Sequence, residues 1–246
     1  VRRVIAGNWK MNGLAASLGE IDALRSALEA EPARADVVVC PPATLLKEAR
    51  ERLAGAASTG GQDCRAEASG AFTGDLSAAM LRDAGAEYVI LGHSERREHH
   101  GETDDAVRAK ADAAIAAGLV PIVCIGESAV ERRAGSAINV LRRQFEGSAP
   151  ASARFVLAYE PLWAIGTGET PTPDEIAEAH VALRGAMAAK YGGDGAGAPI
   201  LYGGSVKPEN AAEILACPEV GGALVGGASL KTADFLAIIR AVPSPA

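Results

Sequence analysis

The feature that most limits what this chain can fold into is an alternation repeated eight times. Short runs rich in β-branched and apolar residues lie at 4–6, 37–40, 58–62, 88–91, 120–125, 155–159, 200–202 and 223–225. Between most of them stand segments rich in Ala, Leu, Arg and Glu with helical patterning, at 17–31, 45–52, 104–117, 130–145, 173–190, 211–216 and 231–240. The connection 63–86 is less regular and holds a short helix near 77–83. Apolar strands joined by helical crossovers predict an α/β fold with a parallel sheet. Eight such units in 246 residues match the size of a closed, eight-stranded (β/α)8 barrel. A doubly wound open sheet is the competing arrangement. No G-x-G-x-x-G opens a helix after a strand, which lowers that option for dinucleotide binding. No linker, low-complexity tract or charge block divides the chain, so residues 1–246 are expected to form one barrel domain.

Composition removes several function classes. The net charge is -7, and no basic run exceeds a pair of arginines. That argues against nucleic acid and against anionic membranes as partners. The longest uncharged apolar stretch, 113–126, contains Gly118 and Pro121. It falls short of the ~20 residues of a membrane span. Cys40, Cys64, Cys124 and Cys217 are scattered, with no C-x-x-C pair and no neighbouring His, so a zinc site is not expected. Reduced, buried thiols in a cytoplasmic protein are the favoured reading. The start of the sequence enters the first strand directly, without a signal-peptide apolar region, which agrees with a cytoplasmic location.

If the fold is a barrel, its chemistry belongs at the C-terminal ends of the strands. The sixth run ends in Glu160, and the loop after it carries Leu162, Trp163 and Ile165 with no charge before Glu169. Loops usually face water and are polar. Two readings fit, a lid hinged at Glu160 or a buried connection with an ordinary surface Glu. The first run ends Gly7-Asn8-Trp9-Lys10. In an extended chain Asn8 and Lys10 point the same way, into the barrel mouth. The plainer alternative is a solvated lysine. The fourth run ends Leu91-Gly92-His93, just before a polar, helical turn. A helix N-terminus there would keep the His93 ring neutral, and a simple capping role is the alternative. His99, His100 and His180 have no such placement and read as surface or structural. Gly203-Gly204 and Gly226-Gly227 follow the seventh and eighth runs. Glycines there let backbone N–H groups approach and cradle a phosphate.

Five stretches together carry a resemblance: 7–12 (GNWKMN), 92–97 (GHSERR), 158–168 (AYEPLWAIGTG), 202–206 (YGGSV) and 224–230 (LVGGASL). In this order, over essentially the whole chain, they resemble the triosephosphate isomerase family. The resemblance implies a TIM barrel, a homodimer, no cofactor and no metal. It implies interconversion of two small triose phosphates, dihydroxyacetone phosphate and D-glyceraldehyde 3-phosphate, through an enediol(ate). By motif, Glu160 would be the base, and neutral His93 and Asn8 would donate hydrogen bonds. Lys10 would supply positive charge, with Ser94 and Glu95 beside this group. Backbone N–H groups of Gly166, Ser205, Gly226 and Gly227 would hold the phosphate under a lid spanning 161–171. Thr73, in an apolar protruding loop, would reach the partner subunit's site, and Gln62 fits the same third-strand motif. Two lid positions depart from the common pattern: Glu169 stands where Lys is usual and Pro171 where Ala is usual. The resemblance also implies that the Tyr202 hydroxyl meets a backbone N–H at the lid's C-terminal hinge. That position is Pro171, which has no N–H.

Two further readings remain at this stage. One is another phosphate-sugar barrel enzyme, an aldolase or a different isomerase. A Schiff-base aldolase needs a lysine on an inner strand, and of six lysines only Lys10 lies near a strand end. The other is a barrel that has lost the reaction, against which intact Lys10, His93 and Glu160 argue.

Overall fold

The computed structural model describes residues 3–165 and 170–244. Its strands are β1 (Arg3–Asn8), β2 (Ala35–Cys40), β3 (Ser58–Gly61), β4 (Tyr88–Leu91), β5 (Val120–Ile125), β6 (Val156–Tyr159), β7 (Ile200–Tyr202) and β8 (Gly222–Val225). Each pairs in parallel with the next, and β8 returns to β1, so the sheet closes. The expected barrel is the fold that forms. Closure rests on a close backbone approach. A Cβ on Gly222 would lie 1.8 Å from the Val4 carbonyl oxygen, so only glycine fits at that point of the seam.

The apolar runs lack strict alternation because both faces of each strand are buried. One face fills the barrel interior with Val4, Ala6, Val38, Cys40, Ile90, Ile122, Cys124, Val156, Ala158, Leu201 and Leu224. The other face packs beneath the helices in a larger outer layer that includes Ile5, Val39, Leu91, Val123 and Leu157. All four cysteines are buried and free. Burial pushes the Cys40 thiol up to about 12, so it behaves as a small apolar filler. No helix among the described residues is long and apolar enough to cross a membrane.

One predicted helix is two. The segment 130–145 divides into Ala129–Arg133 and Ala137–Ser148. Gly135 breaks it in a left-handed conformation, φ 70°. The first piece begins at a capping box in which Ser128 and Glu131 satisfy each other's backbone N–H groups. The polar turn after β4 is a full helix, Ser94–His100.

His180, on the helix Pro173–Tyr191, is completely buried, so of its two expected readings the structural one holds. Its Nδ1 lies 3.3 Å from the Glu219 carbonyl oxygen, and its ring packs edge-on to Tyr159. Burial, reinforced by the charge of Arg184 and opposed by the Glu219 contact, holds its pKa down from 6.5 to about 4. Between those pH values the unfolded chain binds a proton that the folded chain refuses. Stability is therefore full above pH 6.5 and falls as the pH drops towards 4, by roughly 2–4 kcal/mol from this group. Denaturant melts at stepped pH should show this loss, and His180→Gln should flatten it. Parallel acid limbs for the parent and the variant would contradict it.

Candidate active site

Glu160 stands directly after β6, where two backbones nearly touch. Its N–H donates to the Ile125 carbonyl at 2.8 Å. A Cβ on Gly126 would lie 1.8 Å from the Glu160 carbonyl oxygen, so the seat needs glycine. Gln144 fixes that glycine from the far side: its Oε1 accepts from the Gly126 N–H at 2.8 Å and its Nε2 donates to the Gly126 carbonyl at 2.9 Å. The Glu160 backbone is thus held before its side chain is considered.

Glu160 is buried, its side chain 2% exposed. A buried charge needs several donors. Oε2 accepts from the Ser94 N–H at 3.0 Å, and Oε1 accepts from the Ser94 hydroxyl at 3.3 Å. Oε1 also lies 3.0 Å from His93 Nε2. The first of these donors is a backbone N–H at the start of the helix Ser94–His100, where carboxylates are favoured.

His93 is the N-cap of that helix, and its Nδ1 accepts from the Glu95 N–H at 3.2 Å. With Nδ1 occupied as an acceptor, the ring proton is assigned to Nε2, which faces Glu160. The capping role and the functional placement are therefore one arrangement. Glu95 continues the chain of contacts: its Oε1 meets Lys10 Nζ at 2.7 Å. Partial burial pushes the Glu95 carboxyl up, but the hydrogen bond from Lys10 and the charge of its ammonium outweigh it and hold it below the usual carboxylate range.

Lys10 corrects one expectation. The chain is not extended there: β1 ends at Asn8, and Lys10 adopts a left-handed conformation with φ 53°. Such a turn at a non-glycine residue is strained by about 1–3 kcal/mol and persists only when its surroundings hold it. Both of its backbone groups are clamped. Its N–H donates to Asn8 Oδ1 at 3.0 Å, the short-range turn that Asn side chains favour. Its carbonyl accepts from Gln62 Nε2 at 2.8 Å, and the same Nε2 reaches the Cys40 carbonyl at 2.9 Å. Asn8 and Lys10 still face one cavity, by way of this turn.

That cavity, of about 550 Å³, brings together Asn8, Lys10, His93 and Glu160. Its opposite wall is made by Gly203, Gly204 and Ser205 after β7 and by Gly226 and Gly227 after β8. The Gly226 carbonyl is turned out by Ser229, whose N–H and hydroxyl donate to it at 2.8 and 2.7 Å. In a planar trans peptide the Gly227 N–H then points the other way. Ser94 and Glu95 lie beside the cavity, in contact with its members. Thr73 is exposed and lies away from this chain's own cavity. Gly166 and Glu169 fall outside the described residues.

One group escaped the sequence reading. Glu127, fully buried after β5, accepts through Oε1 from Trp163 Nε1 at 2.9 Å, the Tyr159 hydroxyl at 3.1 Å and Arg132 Nη2 at 2.7 Å. It anchors the start of the apolar loop after Glu160. The signal that could have found it is the one that found Glu160, a carboxylate at the C-terminal end of a strand.

Tyr202 bears on the lid hinge. Its hydroxyl is buried and has no hydrogen-bond partner among the described residues. This agrees with the loss of a donor at Pro171, which is itself buried. An unpartnered buried hydroxyl destabilises the fold, so Tyr202→Phe should leave the unfolding free energy unchanged or raise it by about 1 kcal/mol. Chemical denaturation checks this. A loss of more than about 1 kcal/mol would show that the hydroxyl has a partner.

A family model described as triosephosphate isomerase matches residues 3–242. The triosephosphate isomerase of Afipia carboxidovorans is 58% identical over 247 residues, covering 99% of this chain and 98% of its own. That of Rhodopseudomonas palustris is 56% identical over 249 residues, with 99% and 98% covered. The crystal structure of triosephosphate isomerase from Bartonella henselae matches with a TM-score of 0.91 at 46% identity, covering 98% of this chain and 99% of that one. With the closed barrel and this arrangement of Lys10, His93 and Glu160, these matches show that the chain belongs to the triosephosphate isomerase family.

Proposed function

We propose that this chain interconverts dihydroxyacetone phosphate and D-glyceraldehyde 3-phosphate, with residues 1–246 working as one barrel domain. The observation that carries the reading is the buried Glu160 carboxylate, 3.0 Å from His93 Nε2, in a cavity shared with the Lys10 ammonium and the Asn8 amide. Glu160 takes a proton from the carbon beside the carbonyl and returns it to the former carbonyl carbon, while the hydroxyl proton passes from its oxygen to the former carbonyl oxygen. The carbonyl oxygen gains charge as this happens, and donors aimed at that oxygen lower the barrier. His93 offers its Nε2–H, Asn8 its amide and Lys10 its positive charge.

The resting contacts suggest how the groups are exchanged. His93 Nε2 and Ser94 hold the carboxylate. An entering substrate oxygen takes over the His93 donor, and Glu160 is released towards the carbon. Lys10, engaged with Glu95 at 2.7 Å, serves as a cation and not as the free amine that a Schiff base needs.

Ser205, Gly226 and Gly227, with Gly166 from the lid, hold the phosphate through backbone N–H groups. The lid 161–171 closes over it, which excludes water and hinders loss of phosphate from the enediolate; this family is itself a standard illustration of such closure.

The working form we propose is a cytoplasmic homodimer. Met11 and Leu14, 97% and 79% exposed, follow Lys10 in the chain, and the loop 69–74 carries exposed Thr73. Exposed apolar side chains of this size favour burial against a second copy. Thr73 would then complete the partner subunit's site.

Both points meet in one experiment. The parent and Glu160→Gln should each sediment as dimers at micromolar concentration. Turnover of triose phosphates by the variant should fall by at least ~10²–10⁴. Near-parent turnover would overturn the role of Glu160, and a fully active monomer would overturn the dimer.

A further inference from the structure

Asn210 occupies the N-cap position of the helix Ala211–Ala216. An Asn in that place ordinarily turns its side-chain oxygen onto the first free N–H groups of its own helix. Asn210 makes no such bond. Its side chain reaches back instead, onto the loop after β7. Oδ1 accepts from the Lys207 N–H at 2.8 Å, and Nδ2 donates to the Ser205 carbonyl at 3.0 Å.

These two bonds act on successive peptide units, one on each side of Val206. A peptide plane carries its C=O and N–H in opposite directions. Drawing the Ser205 carbonyl to Asn210 turns the Val206 N–H the other way. Drawing the Lys207 N–H to Asn210 likewise turns the Val206 carbonyl away from that side chain. One amide therefore fixes the two peptide planes that follow Ser205, and so holds the C-terminal side of the residue whose N–H, on the preceding plane, is assigned to the phosphate; Ser205, Val206 and Lys207 all line the cavity. The facing loop has its own device, since Ser229 holds the Gly226 carbonyl. A phosphate site built from N–H groups works only while those groups are aimed at it and the carbonyls are not.

We propose that Asn210 is a positioning residue for phosphate recognition, holding the loop after β7 in its anion-binding orientation. The inference rests on the reading that this loop takes the substrate's phosphate. The residue type fits the task, because Asn offers a donor and an acceptor on one short, planar group. Ala offers neither, and the single hydroxyl of Ser is too short to span both partners, although Ser is a good N-cap.

The test measures competitive inhibition by inorganic phosphate, together with steady-state kinetics on D-glyceraldehyde 3-phosphate and on unphosphorylated D-glyceraldehyde. The parent, Asn210→Ala and Asn210→Ser are compared, each with a denaturant melt. Phosphate should bind both variants about tenfold more weakly, the loss expected for two hydrogen bonds of modest net worth. KM for the phosphorylated substrate should rise in step, and kcat/KM for D-glyceraldehyde should stay within about twofold. Asn210→Ser should keep the weak phosphate binding even where it melts with the parent, which a purely helix-capping role does not predict. Parent-like phosphate affinity in both variants overturns the inference. So does an equal loss on the substrate that has no phosphate. If phosphate fails to compete in the parent itself, the phosphate reading of the loop is what has failed, and the inference falls with it.

Discussion

The site depends on the closure of the sheet. At the seam, Gly222 lies so close to the Val4 carbonyl that no Cβ fits between them. With β8 docked on β1, all eight strand ends point to one rim. Lys10, His93 and Glu160, far apart in sequence, then leave β1, β4 and β6 on the same side. An open sheet of the same strands would not bring the loop after β8 against the end of β1. Trp9 marks that contact, its indole N–H donating to the Ser229 carbonyl at 3.1 Å.

On this rim the charges are arranged in series. The ammonium of Lys10 meets Glu95, the Glu95 N–H holds His93 Nδ1, and His93 Nε2 meets Glu160. Each contact restricts the next. The cation is kept near the cavity without touching the base. The imidazole is left with one proton to offer, in a fixed direction. The Glu160 carboxylate is buried yet supplied with three donors, so its charge is tolerated. At this rim the strained residue is Lys10, whose left-handed turn is held at both ends by amide side chains. A lysine on an ordinary extended strand end would not need Asn8 and Gln62 together.

What the sequence made legible follows from the range of each interaction. Strand runs and most helices are local patterns, so the sequence displays them nearly to their ends. Glu160 and His93 were legible because a strand end next to an unusual loop, or next to a helix start, is also local. The pairing of Asn8 with Lys10 was read from spacing, yet the geometry differs, because the clamp from Gln62 comes from another strand. The division of 130–145 turns on one glycine within a helical pattern, which tolerates glycine often enough to hide the break. Glu127 carries the same local signal as Glu160, a carboxylate just past a strand end, but lacks the unusual loop that singles Glu160 out. Gln144 and Asn210 carry none, because each acts through contacts that exist only after folding.

The proposed role of His93 turns on its ring proton lying on Nε2, toward Glu160, while Nδ1 accepts from the Glu95 N–H. Nitrogen-15 NMR of the imidazole, with assignment through a His93→Gln variant, reads this directly. The account predicts an unprotonated, hydrogen-bonded Nδ1 and a protonated Nε2 near neutral pH, both without ligand and with a bound triose-phosphate analogue. Two protonated ring nitrogens, or a proton on Nδ1, would contradict it.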